Sequence, residues 1–243
     1  MKLRRYAAGL VLLLAGILAV PTPAQAAGAP AGGSLVWLRA DVGVTVNGTN
    51  VTSWNDQSGN GRNAIMTTPT RQPHLVQGQL NGNPVLRFDG AQSLYFPSPV
   101  NPYTFSVFVV GKNSKSSGFS MILGPGGNYP NNQLRWENST QALFVGTGNN
   151  MPVVTSTIGN TMVPHELSAT YDGSTMRVYR DGAFVSSHSF TTNSGWTLAS
   201  IGAWYSSYFM VGDLAEVLVY PTALGDGDRM ATDSYLRTKY ALP

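Results

Sequence analysis

The chain contains no cysteine. That excludes a disulfide framework, a thiolate nucleophile and any thiolate metal site. Charge is also scarce, at 11% of 243 residues. Glutamate is the rarest charged type of one sign: Glu137, Glu166 and Glu216 are all there are. A glycosidase sets two carboxyl groups about 5 Å apart to retain, or about 6.5–9.5 Å apart to invert. No two of these glutamates share one candidate strand, so a local catalytic pair is excluded. Histidine is limited to His74, His165 and His188, which are scattered. His165-Glu166 begins like a zincin motif, but the second histidine is missing. No G-x-S-x-G elbow is present either.

Long apolar runs are almost absent too. The one exception is Ala7 to Val20, preceded by Lys2, Arg4 and Arg5 and followed by Pro21, Pro23 and Ala24-Gln25-Ala26. As a helix this run would cover about 21 Å, short of the roughly 30 Å bilayer core. Charged start, short apolar middle and A-x-A end predict a cleaved signal peptide over residues 1–26. The expected localisation is secreted, with no membrane association after cleavage. Removing the three basic residues of that segment leaves 12 basic and 12 acidic side chains, a formally neutral chain. A basic nucleic-acid surface is therefore not expected. Residues 27–33 read as a flexible leader, and 34–243 as one domain.

What fills that domain is a series of short apolar runs bounded by Gly, Asn, Pro and Ser. Strands are predicted at 35–38, 51–54, 84–88, 93–96, 103–110, 119–123, 133–136 and 142–145. The clearest local structure is the meander of 167–171, 176–180 and 183–188, set off by the turns Asp172-Gly173 and Asp181-Gly182. Leu214 to Tyr220 reads as a central strand, with Leu214, Glu216, Leu218 and Tyr220 on one face. The single predicted helix runs from Asp226, its expected N-cap, to Lys239, with Met230, Tyr235 and Leu236 as its packing stripe. Many strands and one terminal helix define an all-β class, a two-sheet antiparallel β-sandwich with one short C-terminal helix.

Three ordered stretches resemble a known family. They are Trp37 to Asp41 followed by Trp54-Asn55-Asp56-Gln57-Ser58-Gly59-Asn60-Gly61, then Asn83 to Gly90, then Gly212 to Tyr220 leading into the helix. Together they resemble the laminin G-like jelly roll of the concanavalin A-like lectin/glucanase superfamily. The resemblance implies a jelly roll that binds glycans or proteins, or that degrades polysaccharides as a hydrolase or lyase. One fold hosts many functions, so the site has to decide. The hydrolases of the superfamily carry E-x-D-x-E-like acids on one strand, and this chain departs from that pattern.

The expected function is a non-catalytic, lectin-like carbohydrate-binding or adhesive domain. Its alternatives are a secreted polysaccharide-degrading enzyme and a protein-binding cell-surface domain. The expected partner is a polysaccharide or glycan, or else a cell-surface protein. Sugar faces stack on exposed aromatic rings. Trp37 and Trp54 sit inside fold motifs and read as core. The ligand-binding candidates are Trp204, Tyr205 and Tyr208, in a ring-rich loop before the last long strand. Trp136, Tyr129 and Asn132 join them, and Trp196 is a weaker candidate. Glu216 would be the acid of an enzyme, with Asp89 as a distant second carboxylate; the favoured alternative is a buried ion pair with an arginine such as Arg87. The resemblance also raises a rim calcium, for which Asp56, with Asn55 and Asn60, is the candidate. One aspartate is thin ligation for calcium, and a turn-stabilising role for Asp56 is favoured.

Overall fold

The computed structural model describes residues 29–125, 133–145, 153–192, 195–204 and 208–243. The predicted signal peptide lies outside the described residues. Among those residues no helix is long and apolar enough to cross a membrane. In chain order the first strands are β1 (Val36–Arg39), β2 (Val44–Asn47), β3 (Asn50–Trp54), β4 (Ala64–Ile65), β5 (His74–Leu80) and β6 (Asn83–Asp89). Next come β7 (Leu94–Val100), β8 (Phe105–Asn113), β9 (Ser120–Gly124), β10 (Gln133–Trp136), β11 (Gln141–Val145) and β12 (Val153–Thr157). The meander follows as β13 (His165–Tyr171), β14 (Thr175–Arg180) and β15 (Ala183–Ser189). Last are β16 (Leu198–Ile201), β17 (Val211–Tyr220) and the helix α1 (Asp226–Tyr240).

The fold is all-β with one helix, and every strand pair is antiparallel. One run of neighbours is β15–β14–β13–β8–β17, after which β17 pairs with both β1 and β6, and β6 with β5. The other run is β12–β11–β10–β9–β16–β7–β4–β3–β2. The runs are not separate. Asn50 of β3 pairs with His74 of β5, and the hydroxyls of Ser156 and Ser186 meet at 2.7 Å across β12 and β15. The 17 strands make one sandwich- or barrel-like ladder.

Both runs send side chains into one core. Trp54, Phe88, Phe105, Tyr171 and Trp196 fill it, none more than 2% exposed. Each such ring contributes about 1.5–3 kcal/mol by leaving water. A second cluster lies beneath α1, where Tyr235, Leu236 and Tyr240 meet Phe108, Val110 and Leu218. The helix differs from its predicted form at two points. Gly225 occupies the N-cap and Asp226 the first helical position. Met230 is 59% exposed, and the buried stripe runs through Arg229 to Tyr240 instead. Strand alternation also fails within β17. The β17–β8 register shifts between Leu214 and Glu216, so Leu214 joins the main core while Glu216 turns toward α1. A bulge of this kind flips the parity of everything before it. The leader is not free throughout: Ala31 N donates to Thr232 Oγ1 at 3.1 Å, and Tyr220 Oη donates to Ala31 O at 2.9 Å.

Candidate functional site

Between β16 and β17 the chain leaves the ladder and returns. Gly202 N donates to Ile122 O at 2.9 Å, and Met210 N donates to Gly202 O at 2.8 Å, closing the base of the excursion. Glycine is required at 202: its φ is +82°, and a Cβ there would strike the Phe88 ring. The excursion carries Trp204 and Tyr208, whose rings stack at 5.2 Å and 20°. Tyr208 is 45% exposed and holds φ of 52°, an uncommon conformation for an aromatic residue. Its ring also meets Phe119 at 5.7 Å. Lys115 Nζ donates to Phe119 O at 3.0 Å and so holds that end of the β8–β9 connection.

The row continues from rings to charge. The Arg135 guanidinium lies 3.8 Å over the Phe119 ring. It donates to Glu137 Oε2 at 2.8 Å and to Gln133 Oε1 at 2.7 Å. Residues 133, 135 and 137 share one side because successive strand residues alternate. The result is a partly exposed line from Trp204 through Tyr208 and Phe119 to a polar end of arginine and glutamate, with the buried Gln133 behind it. Apolar faces with polar groups at one end are suited to a polyhydroxylated ligand.

The same alternation corrects one expectation, and packing corrects another. Trp136 follows Arg135 and points the other way, into the core, at 3% exposure. It is no surface ring, because β10 has Arg135 on its outer side. Trp196 is likewise core, stacked on Phe105 at 4.8 Å. Of the remaining candidates, Tyr129, Asn132 and Tyr205 lie outside the described residues. Phe119 and Arg135 were missed by the sequence reading. No spacing links 119, 135 and 208; only the pairing of β9 with β10 brings the first two together.

Glu216 is fully buried beneath α1. Its Oε1 accepts from Trp37 Nε1 at 2.6 Å and Tyr235 Oη at 3.0 Å. Its Oε2 accepts from Lys239 Nζ at 2.7 Å and Tyr240 Oη at 2.7 Å. Burial and the Glu216 charge push both tyrosine hydroxyls to higher pKa, so they remain donors. With four donors and no solvent access, Glu216 is not placed to protonate a substrate. Its cationic partner is Lys239, which also reaches Asp41 at 2.9 Å. Arg87, the expected partner, pairs with Asp213 at 2.7 Å because the bulge puts Asp213 opposite it. Asp89 is half exposed beside His74, away from the donors of Glu216.

Asp56 is also fully engaged, though by the backbone. Its Oδ1 accepts from Trp37 N and Ser58 N, at 2.9 and 3.0 Å. Its Oδ2 accepts from Arg62 N at 3.0 Å and Ser58 Oγ at 2.7 Å. Burial raises its pKa, but these donors outweigh burial and hold it below the usual carboxylate range. Calcium needs six to eight oxygens facing inward. Here N–H and O–H groups occupy the carboxylate, Asn55 Oδ1 accepts from Ser53 Oγ, and the Asn60 amide nitrogen turns to backbone carbonyls. The residues present do not fit the ion. Among the described residues no three His, Cys, Asp or Glu side chains cluster as a metal site.

A second buried carboxylate lies toward the other end of the helix, paired with no histidine motif. Glu166 is fully buried, and its pKa is pushed well up by burial and by the nearby Asp233 carboxylate. Asp233 is itself raised to about 6, chiefly by burial, although Arg229 draws it down. They sit where β13 meets α1, and their 67-residue separation hides them in sequence.

Fold and motifs agree with comparison to known proteins. The chain belongs to the concanavalin A-like lectin/glucanases superfamily, whose laminin G family matches residues 81–228. No curated protein matches it in sequence. Among solved structures it is similar to domain 4 of an extracellular arabinanase from Geobacillus stearothermophilus, in complex with arabinotriose. That likeness has a TM-score of 0.60 at 15% identity, over 84% of this chain and 99% of the other. It is also similar to Trypanosoma rangeli sialidase bound to the inhibitor DANA, with a TM-score of 0.58 at 15% identity, over 84% of this chain. The chain spans 33% of that sialidase. The binding domain of Paraclostridial Mosquitocidal Protein 1 matches with a TM-score of 0.60 at 11% identity, over 83% of this chain and 52% of the other. At such identities the likeness is one of fold.

Proposed function

We propose that this chain is a secreted, non-catalytic glycan-binding domain on a two-layer jelly roll, with its ligand lying along Trp204, Tyr208, Phe119 and Arg135. The observation that carries the reading is the continuity of that row. Neighbouring rings pass into a partly exposed guanidinium and carboxylate, which the buried Gln133 amide backs from beneath. Sugar C–H faces would meet the rings, and hydroxyl groups the polar end. The arabinotriose on a domain of similar fold supports a carbohydrate as the ligand class. The burial of Glu216 under four donors supports binding over turnover.

The test is a panel of insoluble and arrayed polysaccharides, scored for both retention and product release. Retention without products is expected. Trp204→Ala removes the ring that stacks on Tyr208, and truncating such an anchor costs about 2 kcal/mol or more, roughly thirtyfold in affinity. Near-ultraviolet circular dichroism checks that the core is unchanged. A blank panel with folded protein refutes the reading. New reducing ends or unsaturated products would replace it with a degradative enzyme, and capture of an envelope protein alone with an adhesion domain.

A further inference from the structure

We infer that the Asn60–Asn63 loop forms a second binding site, for a sugar that carries a carboxylate. The site is a cavity of about 450 Å³ lined by Asn60, Arg62, Asn63 and Ser98, among others. That size lies within the roughly 300–1,000 Å³ of small-molecule sites. No acidic side chain lines it.

Arg62 is what makes the cavity informative. Six arginines among the described residues face a carboxylate. Arg71 lies over the Phe209 ring, and Arg237 donates to Pro243 O. The Arg62 guanidinium alone has no such partner, and its Nε is shut off from solvent with no acceptor. The terminal nitrogens of the same guanidinium are not shut off, no acceptor among the described residues engages them, and they are the donors a ligand in the cavity would meet. The planar guanidinium fork matches a carboxylate better than any neutral group.

The surrounding groups suit the rest of a sugar. Asn63 uses its Oδ1 to accept from Asp56 N, which leaves its NH₂ as a donor. Asn60 uses its NH₂ on Ser34 O, Leu35 O and Ser58 Oγ, which leaves its Oδ1 as an acceptor. Ser98 can serve as either. Asp56 fixes this arrangement from below by accepting from Arg62 N. The loop is therefore held rigid by an aspartate while it presents a cation. This site shares no residue with the aromatic row and does not depend on it.

The experiment titrates isotope-labelled protein with glucuronate and galacturonate, and with glucose, galactose and acetate at matched concentrations. The Arg62 Nε–H signal and the Gly61 and Asn63 amides are followed by NMR. Saturable shifts are expected with the uronates. Neutral sugars and acetate should bind at least tenfold more weakly. Arg62→Gln should weaken uronate binding at least tenfold with other amide signals unchanged. Arg62→Lys, which keeps the charge but not the fork, should fall between the two. Trp204→Ala should leave these shifts intact, so this site and the aromatic row can fail separately. The inference is overturned if uronates give no saturable shift or if folded Arg62→Gln or Arg62→Lys binds them like the wild type. Neutral sugars or acetate binding as tightly as the uronates overturns it as well.

Discussion

Glu216→Gln changes one oxygen to an amide nitrogen inside a site built wholly of donors. Whichever way the amide turns, two donors lose their acceptor and face an N–H group. The better orientation keeps Oε1 for Trp37 and Tyr235 and strands Tyr240 and Lys239. Breaking a buried ion pair from one side typically costs about 3–5 kcal/mol. Lys239 retains Asp41 at 2.9 Å, which moves the expectation to the lower end, about 3 kcal/mol. Urea unfolding followed by tryptophan fluorescence reads it directly. At about 3 kcal/mol per molar, the midpoint should fall by about 1 M with the slope unchanged. Lys239→Met should also destabilise, and the double variant should lose less than the sum of the two, since neither partner is then left charged and alone. A loss below about 1 kcal/mol for Glu216→Gln, or strict additivity, would refute the account of Glu216 as a buried structural anchor.

Two further predictions concern charge. The folded pKa values of Glu166 and Asp233 both lie above their ordinary values, so the folded protein holds protons that the unfolded chain releases. Their contribution is full below about pH 4 and is lost as pH rises through about 6 and beyond, so stability should decline over that window. Glu166→Gln imitates the protonated acid and should flatten the decline; an unchanged slope from denaturant midpoints across pH 4–8 counts against the buried pair. At Asp56, Asp56→Ala removes the acceptor of four loop donors and should cost about 2 kcal/mol. Adding EDTA to the wild type should leave the melting temperature where it was, and a chelator-dependent fall would restore the calcium reading.

Most strands and the helix were legible because their apolar runs and Asp-Gly turns are local signals. The strands β2, β4, β5, β12 and β16 were not: β2 and β5 pair with the strand that follows each of them, but neither shows a regular apolar alternation. Thr45, Val46 and Asn47 of β2 are exposed, so no apolar alternation marks them. The site was legible only in part. Trp204 and Tyr208 announced themselves as neighbours in one loop, whereas Phe119 and Arg135 required the β9–β10 register. Trp136 shows the limit most plainly: one residue of strand parity separates a surface ring from a core one. Asp56 was a cation-site candidate on residue type alone, and its hydrogen bonds reverse the sign of what the loop offers.

The position of β17 bears on how the chain reaches this state. It is the last of the described strands to be made, yet it lies between β8 on one side and β1 and β6 on the other. Until it emerges from the ribosome, those three strands lack a shared neighbour, and the first strand has no partner in that run. Pairings between Val36 and Val219 span nearly the whole chain, and loop closure of that length slows folding. The nascent protein therefore stays open until β17 has been made, with Phe108 and Val110, which pack against Leu218 in the folded state, exposed to chaperones. Truncations ahead of Val211 should aggregate in preference to leaving a smaller stable domain.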